Sequence, residues 1–485
     1  MKKFLAVILS TLISLILFSC STVVDSHKQK KALMNDFEKG NLQKLGNKIK
    51  SKSESSGKSC DQLMWNLEYG SYYFLTGDYK QSLREFEIAE KLLKDYNSRA
   101  IVNVRGIGAE VASAVTNLNA LPYKGFAYDR VMLNCYKALN YFALQKTEDG
   151  LVELCRLRNT QKAIEKSFRK EIASERKMII AKNKQLSKKV AEQAVKKSTS
   201  AQNIFSKIKK NSEITYGNLL NPFATYLSAL GYLYEGNKTE ALVDFRNLYR
   251  MEKDNNYINQ SYVNLLVKLN EKIPKELLKY KKKNVVEKNI YVIFANGRAA
   301  AYEQRKFWLV LPYVGYTGLA FPSIIFYKNF ITGVKLFVDD KNYNLEKLTN
   351  MDAVISEEYK NRLIPMITRI AVSYLVKELA SYAAVKVTQN EDKNKNLNLE
   401  EVFMYIGTGV YKYIFNTADT RSWELLPKEY LIASVAMPKN HLLKLQILPN
   451  GGSLDFKLRE KSSFVIIYIR SNSHKVLTKK VIYLK

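Results

Sequence analysis

Histidine and cysteine are scarce, three and four residues in a chain of 485. His27, His441 and His474 stand far apart, and no HExxH or paired CxxC spacing occurs, so no metal site is expected. A P-loop and a GxSxG elbow are also missing, and no acid, base and nucleophile can be assembled. The chain is therefore expected to be no enzyme, with no catalytic residue and no cofactor. Nine prolines and twenty glycines exclude collagen-like and low-complexity chains. Beyond the N-terminus no uncharged apolar run reaches membrane-spanning length. The most apolar stretch, 363–387, is broken by Arg369, Lys377, Glu378 and Lys386 and reads as a buried amphipathic helix. Acidic side chains are the minority charge: 46 against 77 Lys and Arg, a net of +31.

What is present points to an exported, folded protein. Hydrophobic residues make up 46%, enough for a sizeable core, and domains of ~100–200 residues allow several in this length. Met1-Lys2-Lys3 is a basic start, and Phe4 to Ser19 is uncharged and apolar, which has the length of a signal h-region. Leu17-Phe18-Ser19-Cys20 resembles the lipobox of bacterial lipoproteins, which marks Cys20 for acylation. Phe18 departs from the commonest residue there. Ser21 after the cysteine suggests, by analogy with lipoprotein sorting, the periplasmic face of an outer membrane. Of the other cysteines, Cys135 and Cys155 fall in neighbouring helical segments; a disulfide and two buried thiols are both open.

Residues 1–19 thus read as a lipoprotein signal peptide and 20–60 as a lipidated cysteine with a polar tether; 50–58 is Ser/Lys/Gly-rich. Residues 61–280 carry helical periodicity. Gly70, Tyr73, Gly77-Asp78-Tyr79, Ser82, Phe86 and Ala89 follow the spacing of a tetratricopeptide (TPR) repeat. Gly70 and Ala89 are small where two helices cross, and Tyr73 and Phe86 fill the space between them. Ala138, Tyr141, Gly150, Leu154 and Leu157 take the same offsets, and so do Gly231, Tyr234, Ala241, Phe245 and Leu248 with a shorter turn. A long basic helix is expected over about 156–210; residues 156–215 hold 17 Lys/Arg against 5 Asp/Glu. From 284 to 485 the pattern is α+β. Strands are expected at 285–294, 307–314, 331–339, 430–437, 442–448, 464–470 and 476–484, with helices at 352–387 and 399–415. The fold class is α+β: TPR-like repeats with a long basic helix, then an α+β domain ending in a small antiparallel sheet.

Gly77-Asp78-Tyr79 with Phe86 and Ala89, Tyr136-x-Ala138-Leu139-Asn140-Tyr141, Pro222-Phe223-Ala224-x-Tyr226-Leu227-Ser228, and above all Ala418-Asp419-Thr420-Arg421-Ser422-Trp423 before Leu426-Pro427 resemble a bacterial TPR-containing lipoprotein family. Asn296-Gly297 after an apolar strand also matches, but the proline and the basic-acidic cluster expected next are missing. The family has no established activity. The resemblance implies an envelope lipoprotein, some of whose relatives are encoded near lipoproteins similar to activators of peptidoglycan synthases.

Within the most specific segment, Asp419 is expected to cap or pair, Arg421 to make a bidentate bond to a neighbouring carboxylate, and Trp423 to pack under the terminal sheet, with partner binding by Asp419 and Arg421 and anchoring by Trp423 the competing role. The 32 tyrosines suit a peptide-binding helical groove. Export argues against nucleic acid as the target of the positive charge. Anionic lipid, a cell-wall polymer, or no specific ligand remain for it. The expected function is a membrane-anchored, non-enzymatic scaffold or regulator of envelope assembly with an envelope protein partner. The alternative is a binder of anionic polymer or lipid through the basic helical arm.

Overall fold

In the computed structural model the described residues are 26–55, 59–103, 122–182, 206, 209–211, 213, 216, 220–282, 289–311, 315–362, 418–460 and 462–484. Helices dominate the N-terminal half and sheets the C-terminal half, where residues 351–362, the start of the helix expected at 352–387, are also helical, an α+β arrangement. The helices are α1 (Ser26–Lys39), α2 (Leu42–Ser55), α3 (Gln62–Thr76), α4 (Tyr79–Asn103), α5 (Ala127–Ala143), α6 (Thr147–Lys182), α7 (Pro222–Tyr234), α8 (Lys238–Met251) and α9 (Asn256–Lys268). They pack as successive hairpins, each against the next in sequence. Local signals set the boundaries. Asn221, Asn237 and Asn255 each accept a backbone N–H at the start of α7, α8 and α9, supplying partners that a helix N-terminus lacks. Gly77 follows α3 at φ +83°, a left-handed turn that costs glycine nothing.

Two expectations need correction here. Residues 26–55 are not tether. Their helices α1 and α2 bury Leu33, Met34, Phe37, Leu45 and Ile49 in the main core, because this short apolar stripe finds a surface to cover. The basic helix does not begin a new element near Arg156. It is the outward run of α6, which starts at Thr147 as the second arm of a hairpin; its expected course beyond Lys182 lies outside the described residues. So do Cys20 and the expected helices beyond residue 362.

The strands form three sheets. A five-stranded mixed sheet has the order β11 (Val476–Tyr483), β10 (Val465–Ser471), β1 (Ile290–Asn296), β7 (Glu429–Val435), β6 (Glu346–Asn350). β1 runs parallel to β10, with Ile290 opposite Val465, and antiparallel to β7. A four-stranded antiparallel sheet has the order β5 (Lys341–Asn344), β4 (Gly333–Val338), β8 (Leu442–Leu448), β9 (Ser453–Lys457). β2 (Ala301–Leu311) and β3 (Gly315–Ile325) make a hairpin. The expected small terminal antiparallel sheet is therefore corrected. Its strands divide between two sheets, and the larger is centred on β1 from the start of the C-terminal half.

Period-two alternation explains the layering. Tyr291, Ile293, Tyr430, Ile432, Ile466 and Tyr468 join the helices in one core. Their neighbours Ile290, Val292, Leu431, Ala433, Val465 and Ile467 join the four-stranded sheet in a second. The central sheet is buried on both faces, so β1, β7 and β10 are buried at every position and mostly apolar. The boundary near residue 280 is thus one of secondary structure. The core of the helices continues without interruption onto the sheet.

The packing residues expected of the hairpins fall out unevenly. A Cβ on Gly70 would stand 2.6 Å from the Phe86 ring, and one on Gly231 2.6 Å from Leu154 of the preceding hairpin. Phe86, Ala89, Ala241 and Phe245 are fully buried. Tyr73 is a correction: it is half-buried and donates its hydroxyl to Tyr69 at 2.7 Å. Phe74 takes the inner position, edge-on to Tyr79, Tyr136 and Tyr468. Tyr234 packs against the main core and meets Phe464 of the sheet half edge-on at 5.7 Å.

Candidate functional site

Residues 418–424 have no regular secondary structure, yet they are almost wholly buried. A buried chain without a ladder must find other partners for its peptide groups. Here side chains of the helices supply them. Glu68 of α3 accepts the backbone N–H of Glu424 at 2.7 Å and of Leu425 at 3.1 Å. Lys30 of α1 bonds the Ser422 carbonyl and pairs with Glu68 at 2.8 Å. Trp423 donates its indole N–H to Ser71 at 2.8 Å and lies against Phe86 and Tyr136. The strip is held as a bound peptide would be, by side chains gripping its backbone and a pocket taking its aromatic anchor.

Charge is balanced along the strip. Arg421 makes a two-pronged bond to Asp419 at 2.8 and 2.7 Å and reaches Asp61 at 3.2 Å. Burial opposes its charge, but Asp419 and Asp61 outweigh that and hold the guanidinium more basic than usual. Arg298 joins Glu424, reaches Glu38 at 3.2 Å, and stacks 3.9 Å over Tyr327. Arg470 differs. It is 1% exposed, and its bonds go to the carbonyls of Gly297 (2.6 Å), Leu425 (3.1 Å), Ala295 (3.4 Å) and Ser471, with no carboxylate among the described residues. Burial depresses its pKa, against the pull of Tyr136, Tyr468 and Tyr430.

A second buried acid sits beside this cluster. Asp129 in the first turn of α5 accepts the Tyr123 hydroxyl at 2.5 Å and the Phe126 N–H at 2.8 Å. Burial pushes it up to about 7 even so. Glu358 caps the same helix, its carboxylate accepting the Ala127 N–H at 3.0 Å.

Asp419, Arg421 and Trp423 are therefore brought together, and they serve the join between helices and sheet. Lys30, Glu68, Ser71, Arg298 and Arg470 were missed from the sequence. One signal was available: Glu68 is the single charged residue of α3, and a lone acid among apolar neighbours is usually paired. Cys135 and Cys155 form no disulfide; Cys135 is buried with its thiol pushed up by burial, and Cys155 is exposed. His474 stacks on Phe330 at 4.2 Å, and no three His, Cys, Asp or Glu gather as a metal site among the described residues. The carboxylates of the strip are committed to cations and peptide N–H groups, an arrangement suited to fixing the chain. No family model, curated protein or solved structure matches this chain.

Proposed function

We propose that the chain is a bacterial envelope lipoprotein, acylated at Cys20, that acts as a non-enzymatic scaffold or regulator of envelope assembly. Its helical hairpins are TPR-like, and its target is an envelope protein. The observation that carries this reading is the internal peptide. The helices already grip an extended segment by its backbone and by Trp423, and the rest of their inner face covers the central sheet. Partner binding therefore falls on outer surfaces of one body instead of in an open groove.

The anchor geometry sharpens the proposal. Lys30 is locked into the core, and five residues separate Cys20 from Ser26. A chain spans at most ~3.6 Å per residue, so the anchor would keep the body within about 20 Å of the bilayer. Acyl chains contribute ~0.8 kcal/mol per buried CH₂, and confinement raises effective concentration, so moderate affinity suffices. No helix among the described residues is long and apolar enough to cross a membrane.

The test is cross-linking in living cells followed by affinity purification, with Cys20→Ala as control. One envelope protein recovered only with Cys20 intact supports the anchored scaffold. Membrane retention of the Cys20→Ala protein refutes the anchor. The second reading, binding of anionic lipid or polymer by the basic arm, rests on the net of +12 over residues 156–215. Charge reversal at Lys188, Lys189, Lys196 and Lys197 should abolish retention on such a surface if the arm is the binder.

A further inference from the structure

A cleft of about 850 Å³ opens between α9, the 3-10 turn Lys275–Tyr280, the β4–β5 hairpin and the end of β7. No residue of the 418–426 strip lines it. Its volume lies within the ~300–1,000 Å³ of small-molecule sites. Its walls are unlike a lipid pocket, because side-chain amides and tyrosines dominate the helix side. They are also unlike a phosphate site, because Lys282, Lys341 and Lys439 are offset by Asp339 and Asp340.

The polar groups on the α9 wall are fixed before any ligand arrives. Gln260 is 8% exposed. Its Nε2 donates to the Tyr280 carbonyl at 2.8 Å and to Asn264 Oδ1 at 2.8 Å. A primary amide carries two donors and one acceptor oxygen. With both donors committed, Gln260 retains its Oε1, and Asn264 retains its Nδ2. One acceptor and one donor are thus held side by side on the cleft wall. The same wall is stiffened by the Tyr280 hydroxyl, which donates to Asn256 at 2.7 Å and accepts from Asn259 at 3.3 Å. Across the cleft the hairpin contributes Tyr343, half-buried, and on the α9 side Tyr257 ties its hydroxyl to the Asn344 carbonyl at 2.7 Å. Tyrosine presents a flat apolar body with a polar tip.

A sugar ring has the complementary chemistry. Its edge carries neighbouring groups that both donate and accept, and its face is covered by C–H. We propose that this cleft binds an oligosaccharide, with hydroxyl or acetamido groups on the Gln260–Asn264 pair and one ring face on Tyr343. The inference stands on the cleft alone and does not depend on the anchored-scaffold reading.

Calorimetric titration of the full-length protein with the tetramers of N-acetylglucosamine and of glucose tests it. At least one tetramer should bind saturably at one site. Asn264→Ala, which keeps the Gln260–Tyr280 bond, and Tyr343→Ala, on an edge hairpin, should each weaken binding about tenfold while circular dichroism still shows a folded protein at the titration temperature. Absence of binding by both tetramers at millimolar concentration overturns the proposal. So does wild-type affinity in both variants. Saturable binding of inorganic tripolyphosphate that both variants abolish, with no response to either sugar, also overturns it and assigns the cleft to a phosphorylated ligand.

Discussion

Replacing Lys30 by Met strips an ammonium from a cluster that buries two carboxylates. Lys30 is fully buried, 2.8 Å from Glu68 and 4.0 Å from Glu424, while Arg298 faces Glu424 from the other side. The variant leaves two buried acids with one guanidinium, and it leaves the Ser422 carbonyl without its ammonium. Breaking a buried pair by removing one partner costs about 3–5 kcal/mol. Adding Glu68→Gln removes the excess negative charge but keeps an acceptor oxygen for only one of the Glu424 and Leu425 N–H groups, which bond different oxygens of the carboxylate. The double variant should therefore recover most of the loss, to within about 1–2 kcal/mol of the parent, with a coupling energy of the size neighbouring residues show. Guanidinium denaturation followed by circular dichroism measures all four corners of the cycle. A loss below about 0.5 kcal/mol for Lys30→Met, the scale of an exposed substitution, would refute the argument and return α1 to the status of a tether.

Further outcomes follow from the same packing. Trp423→Phe keeps a ring but loses the bond to Ser71 and should cost about 1 kcal/mol; Trp423→Ala should cost about 3–5 kcal/mol, both read from chemical denaturation. Gly70→Ala drives a methyl to 2.6 Å from Phe86, whereas a Cβ at Gly77 meets nothing within 4 Å and bears only the strain of φ +83°. The first should therefore lower the melting temperature more than the second, whose cost is about 1 kcal/mol. Asp129 and Glu252 are pushed by burial from 3.8 and 4.5 up to about 7. Each is protonated more readily folded than unfolded, so their contribution is full below pH ~4 and is lost as pH rises through about 7. For Asp129, fully buried, that is roughly 4 kcal/mol. Stability should fall between about pH 4 and 7 and level off above that, and Asp129→Asn should flatten that slope in denaturation curves taken across the range.

Much of the element map was legible because it is local. The strand expected at 442–448 is β8 to the residue, and that at 476–484 is β11 with one residue trimmed; strict alternation or a β-branched run announces a strand wherever it lands. The helical hairpins were legible from small residues set against large ones, with Gly70 against Phe86 realised in contact. The tether reading failed over residues 26–55 because α1 and α2 carry many lysines and a stripe of few apolar positions. Only the surface they cover makes them helices of the core.

The sequence by itself determined the composition of the two halves and the run of helices followed by strands; that the carboxylate Arg421 takes is that of Asp419 came from the structure. Only the tertiary structure decided that β1 enters beside β10 in parallel. A strand's pattern says which face is apolar and nothing about its neighbour. Tertiary structure also decided that an extended segment past residue 417 threads against α1 and α3. Lys30 and Glu68 stand more than 350 residues from the peptide groups they hold. No local periodicity records such a contact, because its stabilisation appears only when distant chain segments exclude water together.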